Sequence, residues 1–332
     1  MKKLLIAGSA LFAVSLAPSI SAAEIVDYFD LPGKDIADLS FPDQPSAFVA
    51  AGGTSRMFKP DGAGPFPGLV LLPVCSGHYF MNTFDWAKRA LDHGYAVLVV
   101  DPLGPRGVRE NCTPPQPVGT HRFMKDGFDA AEHLRKQPFV DRDHVGLMGF
   151  SLGAMAGLGA AGPKHAHEGG RKPFQAIVAA YPICKFPSIK LSTTGQVAEL
   201  HFLPDRIEVP LLVLMGDRDN ETHAVRDCVP MLDPLKSSGN PVDYRLYHAT
   251  HNWDARETRT KPFSKRGFDG ETIVYEYDEA VTEQSAKDAF AFLDAHLKKN
   301  RFCRIDLPSI RDRRARRLSI PRKAIVLCLF SC

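Results

Sequence analysis

The stretch HVGLMGFSLGAMAG, from His144 to Gly157, places a serine between two glycines directly after an apolar run. Gly149, Ser151 and Gly153 form the pattern G-x-S-x-G, in which a strand turns sharply into a helix and presents the serine side chain. The run VGLMGF is typical of a buried strand, and the residues after the serine are rich in Ala and Gly. The stretch therefore predicts Ser151 as a nucleophile at the end of a parallel strand. The alternative is a glycine-rich tight turn whose serine has no function.

Short apolar runs alternate with amphipathic stretches from about residue 65 to residue 300, which is typical of a parallel sheet covered by helices on both faces. The strand candidates are Gly68–Leu72, Ala96–Val100, Val145–Phe150, Ala176–Ala180, Leu211–Met215 and Tyr244–Tyr247. The helix candidates are Thr83–His93, Arg122–Gln137, Leu152–Ala160, His223–Ser237 and Glu283–Lys299. Residues 45–58 predict a hairpin before the first parallel strand, and residues 185–208 and 252–278 are long connections of the kind that shape substrate pockets.

A serine hydroxyl needs a general base to become a nucleophile, and the base needs an acid that orients it. The run PLLVLMGDRDNET ends a buried strand and supplies Asp217 and Asp219 at the edge of the sheet where Ser151 is expected. We prefer Asp219 as the acid because it lies further into the loop. Asp217 is the alternative acid, or it shapes the loop through an Asx turn.

The base is expected nearer the carboxyl terminus, in the run YHATHNWD. His248 is nearly strand-terminal, whereas His251 lies on the loop beyond the strand, and His251 is therefore the predicted base. Trp253 and Asp254 are expected to pack and hydrogen-bond so that this loop is fixed. The two histidines do not indicate a metal site, because no H-E-x-x-H helix is formed. Neither a metal nor an organic cofactor is predicted.

An acyl-transfer reaction places negative charge on the carbonyl oxygen of the substrate, so two preorganised donors are required. The expected donors are the backbone N–H groups of Leu152, which follows the nucleophile, and Cys75, on the loop after the first long strand. Cys75 and Cys112 follow strands that should be neighbours, and Cys184 and Cys228 follow the next such pair. These four cysteines predict two disulfides; four buried free thiols are the alternative.

The first residues, MKKLLIAGSALFAVSLAPSISAAE, combine a basic start, a short apolar run and small residues. They predict a signal peptide over residues 1–23, a mature chain that begins at Glu24, and export to the periplasm or medium. A membrane anchor is the weaker interpretation because Pro18 ends the apolar run, so no stable anchor is expected after cleavage. Cysteines of an exported chain are free to form disulfides, which agrees with the pairing predicted above.

The net charge of +3 comes from the ends of the chain. Residues 301–332 carry nine Lys or Arg against two Asp or Glu, and the amino terminus adds two lysines, so residues 24–300 have a net charge of −6. An acidic body argues against nucleic acid as a partner. Residues 301–332 are interpreted as a basic, disordered tail outside the chemistry, and residues 24–300 as one domain.

Five segments together resemble the dienelactone hydrolase family of the α/β-hydrolase fold: GFSLGA, LLPVCSG, DPLGPRGVRENC, GDRDNET and YHATHNWD. The resemblance covers about residues 45–300. It implies a mostly parallel sheet of about eight strands with helices on both faces, and oxyanion donors at Cys75 and Leu152. It also implies a triad of Ser151, Asp219 and His251, although dienelactone hydrolase itself has a cysteine in place of this serine.

The sequence thus predicts an exported serine hydrolase that cleaves a carboxylic ester or lactone, a small-molecule substrate, through an acyl-enzyme intermediate. A peptidase or amidase on the same scaffold is one alternative. A secreted binding protein with a vestigial triad is the other. The sequence makes no prediction of the oligomeric state.

Overall fold

The computed structural model describes residues 24–113, 116–190, 197–267 and 270–298. The predicted signal peptide, residues 1–23, and the predicted basic tail, residues 301–332, lie outside the described residues. The strands are β1 Glu24–Asp27, β2 Arg56–Phe58, β3 Phe66–Leu72, β4 Ala96–Val99, β5 Val140–Phe150, β6 Ile177–Ala180, β7 Lys185–Lys190, β8 Val197–His201, β9 Leu211–Gly216, β10 Val242–Tyr247, β11 Phe263–Arg266 and β12 Thr272–Tyr275. The helices are α1 Asn82–Asp92, α2 Thr120–Arg135, α3 Leu152–Ala161, α4 Pro163–Ala166, α5 Ala224–Asp227, α6 Val229–Ser237 and α7 Glu279–Leu297.

The central sheet has the strand order β10-β9-β6-β5-β3-β4-β2. All neighbouring strands in it are parallel except β2, which runs antiparallel to β4 at the edge. Two smaller sheets, β1-β8-β7 and the β11-β12 hairpin, are built largely from the long connections 185–208 and 252–278. The prediction of a mostly parallel sheet with helices on both faces is confirmed.

The central sheet has seven strands within the described residues, close to the expected number of about eight, and the hairpin predicted over residues 45–58 does not form. Only its last three residues make a strand, which pairs with β4. The Ser46 N–H donates to the Met57 carbonyl, but residues 45–55 form no strand of their own. Gly53 in this segment has a positive φ of 97°, which interrupts extended backbone.

Alternate residues of β3 pack on opposite faces of the sheet. Val70 and Leu72 belong to the apolar cluster that includes residues of α2, α3 and α6, whereas Leu69 and Leu71 belong to the cluster with α1 and α7. All four side chains are fully buried. Burial of each such side chain contributes about 1.5–3 kcal/mol to folding, so a strand covered on both faces must be apolar throughout.

Two helices differ from the sequence prediction. The helix expected over 223–237 is divided at Cys228 into α5 and α6, where Pro230 lacks the N–H group that a continuous helix requires. The last helix begins at Glu279, four residues earlier than predicted, because the Asp278 carboxylate accepts a hydrogen bond from the Val281 N–H and caps it. No helix in the described ranges is sufficiently long and apolar to span a membrane.

The parallel strands bring their carboxyl ends to one edge of the sheet. Leu72 at the end of β3 lies beside Gly149 of β5, and Tyr247 at the end of β10 lies beside Gly216 of β9. The loops that follow these strands carry the residues that the sequence proposes for chemistry. The topology therefore gathers residues from four distant parts of the chain at this edge.

Candidate active site

Ser151 stands at the sharp turn between β5 and α3. Its φ of 49° and ψ of −110° are strained for a residue with a side chain, as at other functional turns. The turn is possible because Gly149 and Gly153 flank it. A Cβ on Gly149 would lie 2.1 Å from the Gly153 carbonyl oxygen, and a Cβ on Gly153 would lie 2.5 Å from the Leu72 carbonyl oxygen. The glycines are therefore needed for close backbone approach.

Gly153→Ala is expected to lower the free energy of unfolding by about 2–3 kcal/mol. The new methyl group would clash with backbone carbonyl oxygens of Leu72 and Pro73, and backbone cannot move aside as the end of a flexible side chain can. Gly157→Ala, four residues later in the same helix, is the control. Its Cβ would meet side-chain methyl groups of Ile177 at 3.2 Å and Leu147 at 3.7 Å and no backbone outside its own helix within 4 Å, and alanine favours the helix. Thermal unfolding of both variants checks this, and equal stability of the two would contradict the assigned packing.

His251 lies on the loop after β10 with its Nε2 atom 3.1 Å from the Ser151 hydroxyl oxygen. The histidine is buried, and so is Ser151. His248, the alternative base, is instead exposed, and its Nδ1 lies 3.0 Å from Asp217, the alternative acid. The structure therefore brings His251 to the serine and leaves the second histidine and aspartate as a surface pair.

Asp219 completes a line of three side chains. Its Oδ2 atom lies 2.7 Å from the His251 Nδ1, and its Oδ1 accepts hydrogen bonds from the backbone N–H groups of Glu221 and Thr222, each at 3.0 Å. Burial alone would raise the pKa of Asp219, but the nearby His251 and these hydrogen bonds outweigh it, and the pKa is lowered. The carboxylate is therefore held ionised and fixed in orientation.

Glu221 is a residue of this site that the sequence analysis did not identify. Its Oε2 lies 3.6 Å from the His251 Nε2, and its Oε1 accepts a hydrogen bond from the Lys265 ammonium at 2.8 Å. The Tyr275 hydroxyl also donates to Glu221. The run GDRDNET contains this glutamate, but Lys265 and Tyr275 lie on β11 and β12, in the connection 252–278 for which the sequence predicted a pocket-shaping role and no strands.

The charges around His251 favour its protonated form. Burial lowers the pKa of a histidine, but the carboxylates of Asp219 and Glu221 outweigh burial, and the pKa of His251 is raised above its ordinary value. Lys265 acts in the opposite direction. The rings of Tyr181 and Tyr275 meet the imidazole edge-on at 4.9 and 5.7 Å. The imidazole is thus enclosed on several sides, with one side open to Ser151.

Asp254 fixes the loop that carries His251 through buried hydrogen bonds. Its carboxylate accepts hydrogen bonds from the Trp86 indole N–H at 2.6 Å and from the Tyr181 hydroxyl at 2.9 Å, both buried. Trp253 is also buried, and its indole N–H donates to Ser285 of α7. These contacts tie the loop that carries His251 to α1 and α7. The sequence predicted that Trp253 and Asp254 would fix this loop in this way.

The backbone N–H group of Leu152 is available near the serine. This residue is the first of α3, so its N–H has no acceptor one turn earlier in the helix. Cys75 lies on the turn after β3, and the Gly153 N–H donates to the Pro73 carbonyl at 3.2 Å, which ties this turn to the serine turn. Both proposed donor groups therefore lie on segments packed together at the same edge of the sheet.

The structure contains the Cys75–Cys112 and Cys184–Cys228 disulfides. The first lines a cavity of about 600 Å³ that opens onto Ser151 and His251. The second is fully buried elsewhere. Four aromatic side chains also line the cavity: Tyr79, Phe80, Phe263 and Tyr275. In the described part of the chain, no group of three or more His, Cys, Asp or Glu side chains is arranged to hold a metal ion.

Comparison with known proteins agrees with this architecture. A model of the dienelactone hydrolase family matches residues 54–297. A comparison with curated protein sequences finds no significant match.

Among solved structures, a protein of Klebsiella pneumoniae subsp. pneumoniae assigned to the dienelactone hydrolases is 16% identical, with a TM-score of 0.50 over 72% of this chain and 91% of that chain. Esterase 2 of Thermogutta terrifontis, phosphorylated by paraoxon, is 15% identical, with a TM-score of 0.50 over 74% of this chain and 90% of that one. Dipeptidyl peptidase 4 of Porphyromonas gingivalis is 18% identical, with a TM-score of 0.50, but the match covers 73% of this chain and only 33% of that chain. At these low sequence identities, the comparisons show only that the three solved structures share the fold of this chain. Because the family match spans most of its length, the chain belongs to the dienelactone hydrolase family and is a hydrolase that acts on ester bonds.

Proposed function

We propose that this protein is an exported serine hydrolase that cleaves a carboxylic ester or lactone through an acyl-enzyme intermediate. The observation that carries the proposal is the buried line of three side chains beside the cavity. The Ser151 hydroxyl oxygen lies 3.1 Å from the His251 Nε2, and the Nδ1 of the same ring lies 2.7 Å from Asp219. This is the arrangement in which a neutral imidazole activates a serine hydroxyl.

In the acylation step the Ser151 hydroxyl donates its proton to the His251 Nε2, and the Oγ atom attacks the carbonyl carbon of the substrate. Asp219 accepts the Nδ1–H hydrogen bond throughout, so the ring keeps the tautomer that leaves Nε2 free to accept. The N–H groups of Leu152 and Cys75 stabilise the oxyanion. The tetrahedral intermediate then breaks its bond to the alcohol oxygen, which takes the proton from Nε2.

In the deacylation step a water molecule enters from the cavity and gives a proton to the His251 Nε2. Its oxygen attacks the acyl carbon, and the second tetrahedral intermediate releases the carboxylic acid. Ser151 recovers its proton from the imidazolium. A lactone follows the same steps, except that acid and alcohol leave as one hydroxy acid.

The test is covalent labelling with a fluorophosphonate probe, which reacts with activated serines. The wild-type protein is expected to be labelled, and Ser151→Ala is expected to lose the label because the nucleophile is removed. Labelling that persists in Ser151→Ala and disappears in Ser76→Ala, a second serine lining the cavity, would show that the wrong serine was assigned.

The pH profile of kcat/KM is expected to depend on the charged side chains beside His251, because they shift its pKa. The base must be neutral to accept the serine proton, so activity falls as the pH drops through the raised pKa of His251, above its ordinary 6.5. Glu221→Gln removes a negative charge beside the ring and lowers this pKa, so the acid limb moves to lower pH. Lys265→Gln leaves the Glu221 carboxylate uncompensated and moves the limb to higher pH. Shifts of both variants in one direction would contradict the proposed charge arrangement.

The two disulfides are expected to affect catalysis differently. The double variant Cys75→Ser and Cys112→Ser frees the turn that carries an oxyanion donor, and kcat should fall by about tenfold to a hundredfold, since complete loss of a donor costs about 10²–10³. In the control, Cys184→Ser and Cys228→Ser, stability should fall while kcat is kept. On the chain-entropy model, each disulfide contributes about 4 kcal/mol to the free energy of unfolding, because it closes a loop in the unfolded chain. Equal kcat in both double variants, measured below their unfolding temperatures, would contradict the role of the first bridge.

Export is part of the proposal, and the two disulfides support it, because disulfides persist in oxidising compartments. The signal peptide over residues 1–23 is proposed from the sequence alone. Amino-terminal sequencing of the secreted or periplasmic protein is expected to begin at Glu24. An intact Met1 on the exported protein would contradict the cleavage.

A further inference from the structure

Aromatic side chains stand exposed beside the proposed nucleophile. Of the large apolar side chains exposed in the described part of the chain, Tyr79 is 77% and Phe263 is 48% accessible, and both line the cavity that opens onto Ser151. Each has an aromatic neighbour, with ring centroids 5.1 Å apart for Tyr79 and Phe80 and 5.4 Å apart for Phe263 and Tyr275. Exposed apolar surface in a cavity is typical of a site that binds an apolar group.

The proposed mechanism places the alcohol half of the ester beside the Phe263 and Tyr275 pair. The leaving alcohol takes its proton from the His251 Nε2, so this half of the substrate must lie beside the imidazole. The Tyr275 ring meets that imidazole at 5.7 Å, and Phe263 packs on Tyr275. The carbonyl oxygen, by contrast, is expected at the N–H groups of Leu152 and Cys75. The β11-β12 hairpin is therefore the wall of the leaving-group half of the cavity.

The charged groups nearest to the Tyr275 ring on this wall, Lys265 and Glu221, form an ion pair. The Lys265 ammonium lies 2.8 Å from the Glu221 carboxylate and 5.4 Å from the centroid of the Tyr275 ring. An ion pair with a satisfied hydrogen bond offers no net charge to a charged alcohol. The apolar rings of Phe263 and Tyr275 then dominate recognition on this side, and a planar ring can stack on them offset or edge-on.

We infer that this protein prefers esters whose alcohol half carries an uncharged aromatic ring, bound against the wall formed by Phe263 and Tyr275. The inference rests on the proposed function, because the position of the leaving group follows from His251 as its proton donor. Aromatic pairing is worth about a fivefold to tenfold gain in kcat/KM over a saturated ring of similar size.

The test compares two matched pairs of esters. Benzyl acetate and cyclohexylmethyl acetate give the same acetyl-enzyme and differ in the alcohol ring alone, whereas methyl phenylacetate and methyl cyclohexylacetate carry the same rings on the acyl side. The wild type is expected to prefer benzyl acetate by about fivefold to tenfold in kcat/KM. In Phe263→Leu, which keeps apolar bulk without a ring, this ratio should fall by at least threefold. The ratio for the acyl pair should be the same in both proteins.

Leu246→Ala is the control, because this exposed leucine lies on β10 outside the cavity lining, and its ratios should match those of the wild type. Each ratio is taken within one protein, so a general loss of activity cancels. No benzyl preference in the wild type, or a preference on the acyl side that Phe263→Leu abolishes, would overturn the inference. Fluorophosphonate labelling of each protein separates this from failure of the proposed function: a labelled enzyme without the preference refutes only the ring site, and an unlabelled wild type refutes both.

Discussion

His251→Ala is expected to lower kcat for ester hydrolysis by about 10⁵–10⁶, because serine and histidine act as one unit in such enzymes and loss of either removes nearly all of their contribution. The variant lacks the Nε2 atom that lies 3.1 Å from the Ser151 hydroxyl oxygen and is the proposed acceptor of its proton. The leaving alcohol also loses its proton donor. The measurement is the steady-state rate at saturating ester, on protein whose unfolding temperature has been checked.

The matched control is His248→Ala. This histidine lies on the same loop and pairs with an aspartate at 3.0 Å, but it is exposed. Its replacement should leave kcat within about twofold, as expected for a surface side chain away from the chemistry. If His248→Ala were the inactive variant and His251→Ala retained its rate, the assignment of the base would be wrong.

Asp219→Asn is expected to lower kcat by about 10⁴ with little change in structure. The Oδ1 atom accepts hydrogen bonds from the backbone N–H groups of Glu221 and Thr222, so the amide oxygen of asparagine will keep that position. Its NH₂ group then faces the His251 Nδ1, which must become an acceptor. The ring proton moves to Nε2, and the imidazole can no longer accept from Ser151.

Asp217→Asn is the control for this variant, since Asp217 makes the corresponding contact to His248 at the surface. Its kcat should stay close to that of the wild type. Equal losses in the two variants would mean that general electrostatics, and not the tautomer of one histidine, accounts for the effect. A loss confined to Asp217→Asn would reassign the acid.

The parallel strands could be predicted because each is buried on both faces and is therefore apolar at nearly every position. β9 is buried along its whole length, and the last six residues of β5 are buried as well. The hairpin over residues 45–58 was wrong because the apolar residues of its first half, Phe48 and Val49, are exposed, whereas Met57 and Phe58 in β2 are buried. An apolar run predicts a strand only where a core is available to cover it.

The order of serine, acid and base along the chain indicated the two loops, and position within each loop favoured Asp219 and His251 without excluding Asp217 and His248. Asp217 lies two residues from Asp219, and His248 three residues from His251, on the same two loops. Which pair faces the cavity depends on the backbone of these loops, including the positive φ of 56° at Asn252. Such local conformations are not encoded in apolar periodicity.

Glu221 and the β11-β12 hairpin could not be predicted from the sequence. The hairpin strands are four residues each, and most of the residues in β11 are exposed, so no alternation of apolar and polar residues identifies them. Residues of these two strands line the cavity instead of packing in the core of the central sheet. The contacts from Lys265 and Tyr275 join Glu221 over separations of 44 and 54 residues, which only the folded chain reveals.

The acyl-enzyme itself gives the most direct test. The protein is mixed with an activated ester such as a p-nitrophenyl ester, quenched in acid before the steady state, digested with trypsin and analysed by mass spectrometry. Cleavage after Arg142 and Lys164 releases a peptide of residues 143–164 in which Ser151 is the sole hydroxyl-bearing side chain. The account predicts the mass of the acyl group on this peptide in the wild type and its absence in Ser151→Ala. Rapid hydrolysis with the acyl group on a different peptide, or on none, would contradict it.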